Sequence, residues 1–380
     1  MATIRITGVP TTTTKHDLTK SLRARSDCVS LSHHDSHPTS SQTATVTFTS
    51  RSTAARLKAT KRPPRCLGRR PSVDSDFLGL TVLSSSPDDE VDIVAVHGLN
   101  GHAFDTWTAG DRMWLRDFLP HQLTRTRIMT YGYNSNVWDK LSTTTIPEFA
   151  LALLSALVNK RGTKDKKRPI IFVCHSLGGI VVKLALNLAR KDKHTACIAA
   201  SARGVVFLAT PHRGSDTANN IVVGTLAKVL AVRQDLLIAL RMDSRQLNEI
   251  DNEFRTNYEN LDIATFYETK KTKLSRVVNS FDRVIVERSS ATLQGKGPHF
   301  PIERDHRGIC KFLSSHEDDY KAVYMQIARM VKKAKVTVAA RVVLKALHLP
   351  QLGEIFKLGG KEMVKRYGEA WTAEMSVPQR

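Results

Sequence analysis

Ser176 is the residue of this chain best placed to act as a nucleophile. It sits in Ile170-Ile171-Phe172-Val173-Cys174-His175-Ser176-Leu177-Gly178-Gly179, where four apolar residues lead through a short turn into a helical pattern. A strand–turn–helix of this kind holds a serine in strained backbone geometry with its hydroxyl exposed. Small residues must flank it, because strand and helix approach closely there. Gly178 meets the G-x-S-x-G spacing on one side. Cys174 stands where the pattern has its first glycine, a departure that a small side chain tolerates. A helix opening at Gly178 also aims its positive dipole end at the site, which favours an oxyanion. A chance Ser-Leu-Gly-Gly in an ordinary strand–turn–helix would look the same, so other residues must decide.

The first of these is His97-Gly98-Leu99-Asn100-Gly101, which follows the apolar run Val91–Val96. In an α/β-hydrolase the oxyanion hole takes one backbone N–H from the residue after the nucleophile and one from a loop after an earlier strand. Here those are Leu177 and Leu99. Gly98 and Gly101 let the loop curl over the site, and His97 reads as a hydrogen-bonding support of that loop rather than as the base. The chain order in this fold is Ser, acid, His. Of fourteen histidines, His299, His306, His316 and His348 come late enough. His306, in Glu303-Arg304-Asp305-His306-Arg307-Gly308, is the expected base. Glu268, closing Phe266-Tyr267-Glu268, is the expected acid, with Glu287 as the alternative. The acid would hold the imidazole tautomer, and His306 would carry the Ser176 proton to the leaving group through an acyl-enzyme cycle. Such chemistry calls for no metal and no organic cofactor.

The elements that must position these residues alternate as strands and helices. Strands are expected at 77–83, 91–96, 127–133, 169–174, 204–210, 263–268 and 283–287. Helices are expected at 147–159, 178–190 and 317–333. This alternation implies a mostly parallel, doubly wound sheet, the α/β-hydrolase class. Residues 217–260 read as a helical excursion where a lid or cap would lie, and Gly295–Asp305 as a loop. Ahead of this domain (76–333), residues 1–75 read as a small basic α+β unit and linker. Its βα(β)βα order is ferredoxin-like, and residues 61–75 are loop-like. Residues 334–380 read as a basic helical tail, packed on the domain or free to meet a membrane or partner.

Composition limits the alternatives. At 380 residues, with 41% hydrophobic and 24% charged residues, the chain can bury a large core. The net charge of +21 favours acidic partners, and an anionic membrane surface is one candidate. Eight basic and no acidic residues lie between Arg51 and Arg70, yet Phe48 is the lone aromatic of the N-terminal strands. Nucleic acid is therefore not the expected partner. Five cysteines without a C-x-x-C pair point to a reducing, intracellular compartment. Cys174 reads as a small core residue. The acid-poor start loosely suits a transit peptide, although Thr3–Val9 alternates like a strand. The oligomeric state is not set by the sequence.

The segments His97-Gly98-Leu99-Asn100-Gly101, Thr106-Trp107, Trp114-Leu115, Tyr131-Gly132-Tyr133, His175-Ser176-Leu177-Gly178-Gly179, Ala209-Thr210-Pro211-His212-Arg213-Gly214-Ser215, Phe266-Tyr267-Glu268-Thr269 and Asp305-His306 occur in this order. Together they resemble the serine-active-site-containing protein family of lipase-like hydrolases. That family is related more distantly to GPI inositol-deacylases and to the hydrolase heads of fungal NACHT, ankyrin and tetratricopeptide proteins. The resemblance covers roughly residues 76–320. It implies ester or lipid hydrolysis, with Ser176 as nucleophile and His306 as base. It also implies a location in the cytosol or peripheral to mitochondrial or endoplasmic-reticulum membranes. Unlike the fungal multidomain pattern, the chain has no G-x-x-x-x-G-K-[ST] loop. The competing expectation is a catalytically silent signalling or interaction module that keeps the fold.

Overall fold

The computed structural model describes residues 1–25, 28–33, 41–60, 64–68, 71–135, 145–162, 165–212, 244–272, 286, 288–291, 293 and 296–346. Two compact units divide at Val331/Lys332. The first contains both the N-terminal α+β region and the larger sheet.

The N-terminal region runs β1 (Ala2–Pro10), α1 (Lys15–Leu22), β2 (Val29–His33), β3 (Ser41–Phe48), α2 (Arg51–Ala59) and β4 (Ser72–Asp74). The antiparallel order β2-β3-β1-β4 is the complete split βαβ wrap. Two of its strands lie in stretches that read as irregular. β2 ends in the polar His33 stretch. β4 is only three residues long and pairs through Arg5–Thr7 in the stretch expected to be loop. Thr14 starts α1 with a capping box closed by Asp17. Ile4, Ile6, Leu18, Val46, Phe48 and Leu67 form a core of their own, so Phe48 is buried.

Among the described residues, the larger sheet has seven strands. They are β5 (Gly79–Ser84), β6 (Val91–Val96), β7 (Thr126–Gly132), β8 (Ile170–His175), β9 (Ala202–Leu208), β10 (Asp262–Glu268) and β11 (His299–Ile302). Their order is β11-β10-β9-β8-β6-β7-β5, all parallel except β5. With helices on its faces, this is an α/β-hydrolase sheet. Its central strands are buried along their whole length because both faces are covered, and apart from Asp92 and His175 at their ends they are apolar. β11 falls in the loop expected over 295–305. Pro301 argues against a strand in sequence, but β11 is the sheet's last strand, and an edge tolerates proline. The strand expected at Arg283–Glu287 lies, except for Val286, outside the described residues.

Among the described residues, the longer helices of this region are α3 (Ile146–Arg161), α4 (Leu177–Lys191), α5 (Ser244–Asn257) and α6 (Asp318–Ala346). Of the expected lid, residues 217–243 lie outside the described residues. α5 is a wall of the core: Ile250 O accepts from Asn187 Nδ2 at 3.1 Å, and Phe254 is fully buried. α6 runs through the boundary expected at Lys333, since neither glycine nor proline interrupts it there. No described helix is long and apolar enough to cross a membrane.

The N-terminal region is joined to the sheet by polar contacts. Arg5 bonds Asp74, Leu78 O and Thr81 Oγ1 at 2.8–2.9 Å, and Ser32 Oγ donates to Val82 O at 2.9 Å. Buried Arg116, paired with Asp117, reaches Thr47 Oγ1 at 2.9 Å and stacks over Phe104. The Arg5 and Ser32 contacts fall at β5, the sheet's other edge, which would otherwise present open backbone groups.

A buried ion network closes the end of the sheet opposite Ser176. Asp92, at the start of β6, accepts from Arg127, Arg161 and Arg168 at 2.7–3.3 Å. Asp165 accepts from Arg127 and Arg168. Asp92 is fully buried, so Asp92→Ala would take from buried Arg161 its carboxylate partner and leave Arg127 and Arg168 to share Asp165 alone. We expect it to lower unfolding free energy by about 3–5 kcal/mol. A urea midpoint that does not move would contradict this.

Candidate active site

β8 ends at His175, and the chain reverses at Ser176, whose φ of 52° lies in the left-handed region that non-glycine residues avoid. Such a residue costs on the order of 1–3 kcal/mol and persists where the surroundings over-determine it. Here the Ser176 N–H donates to Leu208 O on β9 at 3.0 Å. Gly178 then lets α4 pass directly beneath the end of β6. A Cβ on Gly178 would stand 2.3 Å from Val96 O and 2.4 Å from His97 O, closer than any side chain allows. Gly98 meets the turn from the other side, where a Cβ would lie 2.7 Å from Ser176 Cβ. Leu177 is thus the first residue of α4, and Leu99 follows the glycine packed on Ser176.

His306 comes to Ser176 from 130 residues away. Its Nε2 lies 2.9 Å from Ser176 Oγ, and its Nδ1 lies 2.7 Å from Glu268 Oε2. Glu268 is the last residue of β10, and its side chain is fully buried. Its Oε1 accepts from the Val286 N–H at 3.0 Å. A carboxylate can only accept, so Nδ1 carries the ring proton, and Nε2 is left to accept the Ser176 hydroxyl. Glu287, the alternative acid, lies outside the described residues. His299 is on β11, and His316 belongs to the turn before α6.

The loop carrying His306 is fastened on several sides. The His306 N–H donates to Thr272 Oγ1 at 3.0 Å, and Asp305 Oδ1 accepts the Gly308 N–H at 2.7 Å. Arg304 binds Asp319, Glu317 and the Lys311 carbonyl. Trp114 Nε1 donates to Cys310 O at 3.0 Å. In sequence, Trp114, Arg304, Asp305 and Gly308 stand only as members of quoted segments, and nothing there marks any of them as a support.

Two more histidines line the site. His97 Nδ1 donates to Gly98 O at 2.9 Å, its ring stacks on Tyr133 at 4.4 Å, and the Tyr133 hydroxyl donates to His97 O. Burial pushes its pKa down to about 4. His175 Nε2 donates to the His306 carbonyl at 2.8 Å, and burial, then the His306 ring, push its pKa down to about 3. Both rings are therefore neutral near pH 7. Cys174 is fully buried, and burial raises its thiol well above the usual range, so it is a poor nucleophile.

Behind the turn, Lys183 of α4 is buried against Asp251 of α5 and donates to His212 Nδ1 at 2.6 Å. Burial lowers its pKa to about 8, with Asp251 opposing the shift. Its position among apolar neighbours in α4 gave no hint of this, because Asp251 and His212 are distant in sequence. Among the described residues, no group of three or more His, Cys, Asp or Glu side chains converges as a metal site would require.

Comparison with known proteins gives three findings. The chain is similar to Protein SERAC1 of Bos taurus, 27% identical over 245 residues, and of Homo sapiens, 26% identical over 245 residues. In each case the match covers 58% of this chain and 36% of the relative, so the chain spans about a third of the length of these curated relatives. Among solved structures it resembles the NocB thioesterase domain from the Nocardicin cluster, with TM-score 0.35, 13% identity, and 67% and 99% of the two chains covered. A lipase-esterase related protein from Clostridium acetobutylicum gives TM-score 0.38, 12% identity, and coverage of 67% and 99%. Residues 89–292 match the family model described as "Putative serine esterase (DUF676)". That match covers more than half of the chain and takes in the nucleophile turn and Glu268: the chain belongs to the DUF676 serine esterase family.

Proposed function

We propose that this protein hydrolyses carboxylic esters, of lipid type, through a Ser176–His306–Glu268 triad and an acyl-enzyme. The observation that carries the reading is the continuous hydrogen-bond chain from Ser176 Oγ through the His306 ring to Glu268, at 2.9 and 2.7 Å. His306 Nε2 takes the hydroxyl proton as Oγ attacks the ester carbonyl. The resulting oxyanion faces the N-terminus of α4, where the Leu177 N–H and the Leu99 N–H are the proposed donors. The imidazolium, held by Glu268, protonates the departing alkoxide. Water then enters, gives its proton to His306 and cleaves the acyl-enzyme. The net charge of +21 supports a lipid substrate at an anionic surface, where each Lys or Arg close to the membrane adds about 1 kcal/mol.

The silent-module alternative has less behind it. A scaffold gains nothing from a left-handed serine, which costs stability, aligned on a histidine and a buried carboxylate.

The reading predicts that a fluorophosphonate probe labels the wild type and that Ser176→Ala abolishes labelling and p-nitrophenyl ester turnover. Labelling that survives in Ser176→Ala would sink it. Glu268→Gln should keep the fold and lower kcat on the order of 10³–10⁴-fold, because the amide no longer fixes the tautomer of His306. A loss below tenfold would remove Glu268 from the triad.

The buried histidines also set an acid limit. The folded-state pKa values of about 4 for His97 and about 3 for His175 lie below the ordinary 6.5. Between these values the unfolded chain binds the extra protons. The stability is therefore present above about pH 6.5 and is lost as pH falls, by roughly 1.4 kcal/mol per pH unit for each ring. Urea unfolding from pH 7.5 to 5 should show this slope. A flat profile would contradict the neutral, buried assignment.

A further inference from the structure

We propose that His175 is a positioning residue: it ties the loop that carries the base to the turn that carries the nucleophile. The inference rests on the triad reading and adds a residue to it. The acceptor at 2.8 Å is the backbone carbonyl of His306, so the proton must sit on His175 Nε2. The ring stays neutral at working pH and keeps this single tautomer.

The placement gives the bond its consequence. His175 is covalently next to Ser176, and its carbonyl acceptor belongs to His306 itself. One hydrogen bond therefore spans 131 residues and joins the two backbones whose side chains must meet at 2.9 Å. The other supports of the loop lead elsewhere. Thr272 lies beyond the end of β10, Arg304 is bound to Asp319 and Glu317, and Trp114 follows the oxyanion loop. The opposite edge of the His175 ring faces the oxyanion turn, where a Cβ built on Gly98 would come 3.3 Å from Nδ1. A single ring thus belongs to the nucleophile turn, is bonded to the base loop and stands next to the oxyanion turn. It is buried, so the bond does not compete with solvent. A displacement of the base by about 1 Å can cost on the order of 100-fold in rate.

The discriminating pair is His175→Gln and His175→Asn in the full chain. Both are amides, but the glutamine nitrogen can take the place of Nε2, while the asparagine nitrogen takes that of Nδ1 and points to Gly98. Fluorophosphonate labelling rates and the kcat and KM for p-nitrophenyl butyrate would be measured. Wild-type His175 would be followed by ¹⁵N NMR between pH 5 and 8. Expected are a Gln variant within about threefold of wild type and an Asn variant slower by about 100-fold in labelling and kcat with KM little changed. In the wild type, Nε2 should carry the proton throughout. Equal rates for the two variants, a Gln variant that does not fold, or a wild-type ring protonated on Nδ1 would each overturn the proposal. If the Asn variant does not fold, the wild-type tautomer still decides. A wild type that neither labels nor turns over ester fails the triad reading, and the spectrum then tests the tie separately.

Discussion

The contact between α4 and the end of β6 is the constraint on which the rest of the site depends. Gly178 lies against the carbonyls of Val96 and His97 with no room for a single carbon. Because the helix passes so close, β8 must reverse within one residue, and that residue, Ser176, takes a positive φ. The reversal projects the hydroxyl away from the strand, toward His306, and puts the Leu177 N–H at the helix start. The strain is held by its surroundings: β8 is paired on both sides and buried along its whole length, and the Ser176 N–H is bound to β9. The same contact puts His97 and Gly98 beside Ser176, so one steric requirement fixes Ser176 and the His97–Gly101 loop together.

The sheet separates stability from chemistry. Its strands begin at the Asp92–Asp165 network and end at Ser176, Glu268 and the His97 loop. Ligands of open α/β sheets lie at the carboxyl ends of the strands, and the side chains proposed for chemistry sit at that end here. Charges buried at the other end cannot compete for substrate. The N-terminal wrap serves the same division. It meets β5 through Arg5 and Ser32, with β7 and β6 between that edge and the strand that leads to Ser176.

What could be read in sequence follows from how local each signal is. β6, β8 and α4 are long apolar runs with steric glycines next to them, and their positions are set within a few residues. Ser176 and the His97 loop were visible for that reason. His306 was reachable by chain order, and Glu268 by its place at the end of a strand, although order alone left Glu287 open. β4 and β11 leave no pattern of their own, and β2 only a bracketed one, because each is short, edge-placed or polar and exists through its pairing partner. Thr272, Arg304 and the Lys183–Asp251–His212 cluster escaped for a further reason. Their meaning lies entirely in partners distant along the chain, and a threonine or lysine carries no mark of that.

The neutrality of the two supporting histidines bears directly on the proposed reaction. In the proposed transition state His306 is an imidazolium, and its ring centroid lies 5.1 Å from that of His175. At an effective dielectric constant of about 20, two unit charges at that separation repel by about 3 kcal/mol, which is more than a hundredfold in rate. A protonated His175 would therefore oppose the charge that Glu268 is placed to stabilise. Burial removes the conflict by holding His175 neutral far below working pH, so the ring can donate a hydrogen bond to the base loop without adding charge beside it. An arginine or lysine could supply the same hydrogen bond, but it would bring a full positive charge beside the base. A neutral ring with one fixed proton meets both demands at this position.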